Sequence, residues 1–138
     1  MKIEVVADAS GTPVGVFTAA ANEPETELIR PALDTIPEEV MLTDGVPVIA
    51  DKSYDSDPLR QELADSGFTL LSPHRSNRTK EPTNDGRCMR RYTRRWIIER
   101  TMSWMHSFRR LFVRYEYYSF IYDGFIHLAL ALFTLSRF

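Results

Sequence analysis

The chain has 138 residues, a single cysteine and a formal net charge of −2. That length holds one domain with a real core, and a lone Cys88 excludes a disulfide framework and suits a reducing compartment. The start, Met1 to Asp8, is too short and too acidic for a signal peptide. The apolar run Phe125 to Leu135 covers only about half a bilayer. A cytoplasmic protein without a membrane anchor is therefore expected.

The near-neutral total conceals a division along the chain. Residues 1–74 carry 4 Lys/Arg against 14 Asp/Glu, whereas residues 75–114 carry 12 against 3. Clustered arginines focus a positive potential and suit a polyanionic partner on one face; the plainer alternative is a solvated helix paired with the acidic half. The expected organisation is one α/β domain in three stretches: an acidic sheet-and-helix part (1–74), a basic loop and helix (75–114), and an apolar C-terminal helix (115–138).

In chain order, β-branched Ile3, Val5 and Val6 predict a strand over 2–9. Ser10-Gly11-Thr12-Pro13 supplies a turn, and a second strand follows over 14–20, making a hairpin. Leu28, Ile29 and Leu33 have helical spacing over 25–33. Val46 to Ala50 is a short continuous apolar run, typical of a buried parallel strand, and it ends at Asp51. Asp57-Pro58 opens a helix that closes near Ser66-Gly67, with Asp55 and Asp57 expected as N-terminal caps, and Phe68 to Ser72 is another strand. Residues 73–86 are polar and predict an extended or mobile loop. A long helix over 89–112 and a last helix over 118–137 complete a mixed sheet with helices on both sides.

On the long helix, Tyr92, Arg95, Glu99, Ser103, His106 and Arg110 fall within about 80° of one another at about 100° per residue. Ile97, Ile98, Trp104, Met105, Phe108, Leu111 and Phe112 occupy the opposite face and are expected in the core. Arg95 and Glu99 lie one turn apart, which by itself predicts an ion pair. A lone carboxylate among arginines and an aspartate ending a strand also suit metal-dependent chemistry on DNA.

Four landmarks in order resemble the C-terminal part of an insertion-sequence DDE transposase. They are Ala50-Asp51-Lys52-Ser53-Tyr54-Asp55-Ser56, Pro73-His74-Arg75-Ser76-Asn77-Arg78, the run around Glu99, and Phe108 to Glu116. The family signature Tyr-x2-Arg-x3-Glu-x6-Lys reads Tyr92, Arg95 and Glu99 here, with His106 in the lysine position. The resemblance implies an RNase H-like sheet and metal-dependent DNA strand cleavage and transfer. It further implies Asp51 and Glu99 as catalytic metal ligands for two Mg²⁺ or Mn²⁺ ions.

The family's first aspartate belongs to a strand upstream of the hairpin that begins this chain, so the sheet is expected to be incomplete at its N-terminus. Asp8 is the nearest substitute, although its context is that of a hairpin turn. Arg75, Arg78, Tyr92, Arg95, Arg100, His106, Arg109 and Arg110 are the candidate DNA contacts, with Arg100 pointing away from the Glu99 face. The expected partners are the element's ends and target DNA, together with a second copy or an upstream transposase fragment. Two other readings compete: a non-catalytic DNA-binding or dimerising remnant that modulates an intact transposase, and an unrelated RNase H-like nuclease.

Overall fold

The β-branched residues near the start form the expected hairpin: β1 (Lys2–Ala7) pairs antiparallel with β2 (Pro13–Ala19). Gly11 turns the chain between them with a φ of 87°, a conformation that a side chain would oppose. A computed structural model describes residues 1–40 and 43–137; the side chain of Cys88 lies outside what is described.

After a 3₁₀ turn at Glu25–Glu27 comes α1 (Ile29–Asp34), shorter than the helix expected over 25–33. Next are β3 (Val46–Ile49), α2 (Asp57–Asp65) and β4 (Phe68–Leu71), with β3 and β4 parallel. The α/β class is as expected, but the single mixed sheet is not. Among the described residues, four strands form two separate two-stranded sheets, β1-β2 and β3-β4.

The long helix over 89–112 is also broken. It consists of α3 (Gly86–Met89), a 3₁₀ segment at Arg90–Arg95, α4 (Trp96–His106) and α5 (Arg109–Phe112). An unbroken α-helix would place Arg90 beside Arg94 and Arg91 beside Arg95, like-charge i,i+4 pairs that disfavour that form. At the second break the Ser107 hydroxyl donates to the Trp104 carbonyl at 2.6 Å, and Phe108 is extended with ψ of 110°. Its ring then meets Trp104 edge-on at 4.8 Å. Phe112, expected in the core, is consequently 69% exposed. The last helix, α6 (Ser119–Leu135), falls where it was expected. Among the described residues, no helix is long and apolar enough to cross a membrane.

Strand alternation divides the core in two, because successive side chains of β1 point to opposite faces. Val5 joins Met105, Leu111, Tyr122, Ile126 and Ala129, contributed by α4, α5 and α6. Its neighbour Val6 packs against the second cluster, Ile29, Leu33, Tyr54, Leu59, Leu63 and Leu70. The hairpin therefore has α4 and α6 on one face and α1 on the other. Polar anchors also hold the hairpin to its neighbours. The buried Thr101 hydroxyl of α4 donates to the Gly11 carbonyl at 2.8 Å, and the Tyr54 hydroxyl donates to Glu4 at 2.7 Å.

Candidate functional site

Asp51 lies two residues beyond the end of β3 and caps a 3₁₀ turn at Lys52–Tyr54, its Oδ1 accepting the Lys52 amide at 2.6 Å. Glu99 sits in the first turn of α4. The Arg95 guanidinium joins them, lying 3.6 Å from Asp51 Oδ2 and 3.3 Å from Glu99 Oε1. Its other terminal nitrogen donates to the Tyr92 hydroxyl at 3.2 Å. Burial opposes the charge of Arg95, but the Tyr92 bond, Asp51 and Glu99 outweigh it and raise its pKa. The i,i+4 pair is thus present, and it also takes in an acid 48 positions earlier in the chain.

Both carboxylates are substantially exposed and directed at one cationic centre, now occupied by a guanidinium. Two hard oxygen donors sharing a cation fit part of the shell of a Mg²⁺ ion, which needs few carboxylates when phosphates and waters supply the remaining ligands. Arg95 would have to swing aside. Among the described residues there is no group of three or more His, Cys, Asp or Glu able to hold a metal ion.

Asp8 lies in the hairpin turn, beyond the end of β1. Its Oδ1 accepts the Ser10 and Thr12 amides at 2.9 Å each and the Ser10 hydroxyl at 2.6 Å. Slight burial opposes its charge, but these bonds outweigh that and lower its pKa. The carboxylate is engaged in fixing the turn.

The segment over 73–86, expected to be extended or mobile, is irregular but tied down. Asp55 organises it and is no helix cap, since Ser56 caps α2 through the Leu59 amide. Its side chain is 3% exposed and takes Arg60 at 2.6 Å, His74 Nδ1 at 2.9 Å and the Arg75 amide at 2.8 Å. Burial resists its ionisation, but the Arg75 amide, Arg60 and His74 overcome this and hold the carboxyl far below the usual range. Asp57 lies in the first turn of α2 and pairs with Arg78 at 3.0 Å.

The candidate DNA contacts therefore separate. Arg78 is largely buried among Asp55 and Asp57, and Arg75 donates to the carbonyls of Lys52 and Ser53. Arg100 donates to the Ser10 carbonyl and lies over Trp96, while Arg110 pairs with Glu116. His106 and Arg109 are exposed. Arg90, Arg91 and Arg94 were not singled out in the sequence, yet they are exposed and line the same cavity as Asp51 and Arg95. Among the described residues their side chains make no hydrogen bond or ion pair. Four arginines within six positions were the available signal, since even a continuous helix would carry them on one side, within about 140° at about 100° per residue.

The family model of the Transposase DDE domain matches residues 1–134. The chain belongs to that transposase family. It is also 34% identical over 137 residues to a Burkholderia cepacia protein named "Putative transposase for insertion sequence element IS402". That match covers 95% of this chain and 61% of the relative, so the chain spans about three-fifths of the length of the curated relative it matches. No solved structure matches. In this DDE domain Asp51 and Glu99 meet at Arg95, and Arg90, Arg91 and Arg94 line the adjoining cavity.

Proposed function

We propose that this DDE domain serves metal-dependent DNA strand cleavage and transfer in the transposition of an insertion sequence, on an RNase H-like framework. Asp51 and Glu99 are its metal ligands. The observation carrying this reading is that one cation already lies within 3.6 Å of both acids, which are distant in sequence. A divalent ion held there would activate a water or a DNA hydroxyl and stabilise the departing oxygen.

The protein's own groups act on the phosphates. Arg90, Arg91 and Arg94 attract and position the DNA backbone, with salt-sensitive and mostly sequence-independent affinity. Arg95 holds the two acids together when no ion is bound. His106 and Arg109 extend the basic surface along α4 and α5. Arg75 and Arg78 contribute indirectly by fixing the segment that follows β4.

A second reading, a DNA-binding or dimerising protein without catalysis, draws on the lack of any three-ligand metal cluster among the described residues. Metal-dependent nicking of a labelled duplex decides between them. Mg²⁺- or Mn²⁺-dependent nicking that disappears in Glu99→Ala supports catalysis by this chain. Salt-sensitive DNA binding with no nicking supports the second reading for the isolated chain.

A further inference from the structure

The connection between α5 and α6 concentrates exposed aromatic side chains. Phe112, Tyr115, Tyr117, Tyr118 and Phe120 all face solvent, Tyr117 at 89% exposure and Phe120 at 69%. A contiguous apolar surface of this kind marks an interaction site. The core does not account for it, because the neighbouring Leu111 and Tyr122 are the residues that enter the first cluster.

The segment is pinned from beneath. Arg114 donates from Nε to the Glu116 carbonyl at 3.0 Å and from Nη2 to the Tyr117 carbonyl at 3.1 Å. The Glu116 carboxylate accepts from Arg110 at 2.8 Å and from the Tyr115 amide at 3.2 Å. The buried Tyr122 hydroxyl donates to the Leu111 carbonyl at 2.8 Å and ties the start of α6 to α5. The rings are thereby presented on a fixed backbone. Tyr117 meets Tyr118 edge-on at 5.2 Å, and Tyr118 lies 5.6 Å from Phe120 with the two planes 31° apart. Groups positioned in advance lose little freedom on binding.

Charge selects the partner. From Arg109 to Ile121 the chain has Arg109, Arg110 and Arg114 against one acid, Glu116, which is buried and already paired. Arg109 is exposed, and among the described residues its side chain makes no hydrogen bond or ion pair. Open π-faces beside an uncommitted guanidinium match a polyanion with accessible bases, the combination that binds single strands. Duplex DNA keeps its base faces inside the stack. Two copies meeting symmetrically here would set the same arginines against each other. The surface also adjoins the candidate site. Phe112 packs edge-on against His106 at 5.9 Å, and His106 shares the Glu99 face of α4, about 10 Å further along the helix.

We propose that Tyr117, Tyr118 and Phe120 form a stacking platform for the bases of an unpaired DNA strand, with Arg109 on its phosphates. The inference rests on the DNA reading above and deepens it, by assigning unpaired bases to a surface outside the Asp51–Glu99 pair.

The test compares the 138-residue protein with its Tyr117→Leu/Phe120→Leu variant by fluorescence anisotropy. The ligands are an oligothymidylate of about 12 nucleotides and a blunt duplex of similar length. Leucine keeps an apolar side chain but removes the π-face, and both positions are exposed, so the Tm should not change. The variant should bind the oligothymidylate roughly tenfold more weakly, with an unchanged salt slope, and bind the duplex as wild type does. Tyr117→Leu alone, at the most exposed ring, should lose roughly fivefold, whereas Tyr117→Phe should lose nothing. Equal losses on both DNAs, or no loss on the oligothymidylate, overturn this proposal alone, since wild-type duplex binding still supports the DNA reading. A wild-type dimer that the leucine variant dissociates also overturns it, by giving the surface to a second copy. A protein that binds neither DNA overturns both.

Discussion

Asp55 offers the sharpest test of the site's framework. Its carboxylate is 3% exposed and touches Arg60 at 2.6 Å, His74 at 2.9 Å and Arg78 at 3.5 Å, with Arg60 and Arg78 only 14% and 12% exposed. Replacement by Asn keeps the shape but leaves two buried guanidiniums with Asp57 alone, at 3.8 Å and 3.0 Å. Breaking a buried pair in this way costs about 3–5 kcal/mol, and the remaining Asp57 contacts place the expected loss near the lower end, about 3 kcal/mol. Urea denaturation at pH 7 measures it as a lower midpoint at unchanged m-value. The pH dependence follows from the lowered pKa. The folded state stabilises the ionised form, so the contribution is present above the unfolded pKa of about 3.9 and is lost progressively as pH falls below it. The difference between wild type and Asp55→Asn should therefore shrink below about pH 4. A loss under about 1 kcal/mol at pH 7, against the 3 expected, or a loss constant from pH 3 to 7, would refute this account.

Three further outcomes are expected. Thr101→Val should lower stability by about 1–3 kcal/mol, since it removes the buried donor to the Gly11 carbonyl; thermal denaturation reads this directly. Gly15→Ala should cost about 1–3 kcal/mol, because a Cβ there would lie 2.8 Å from Thr35 Oγ1 and 2.9 Å from the Ala32 carbonyl oxygen; an unchanged Tm would contradict that crowding. Replacing Arg90, Arg91 and Arg94 together with Ala should flatten the salt dependence of duplex binding, by roughly 0.9 in log–log slope per lost phosphate contact. A slope equal to that of wild type would remove these arginines from the DNA surface.

The amino-acid sequence determined the α/β class, the hairpin, the two short apolar strands and the last helix, because each is fixed by local patterning and turn chemistry. It also placed Asp51 after a strand and Glu99 one turn from Arg95, through spacing alone. The tertiary structure decided what depends on neighbours. The long helix breaks where like charges meet at Arg90–Arg95 and where Phe108 leaves the helix to pack on Trp104. Arg78 reads as a surface cation in sequence, yet it enters a largely buried ion-pair cluster that folding assembles from Asp55, Asp57 and Arg60. The division of the described strands into two sheets was equally invisible, because apolar alternation sets which face a strand buries but not which strand lies beside it. Side-chain pattern is local and survives in the sequence, whereas the pairing of a strand edge or a buried charge is settled only by what the rest of the chain brings to it.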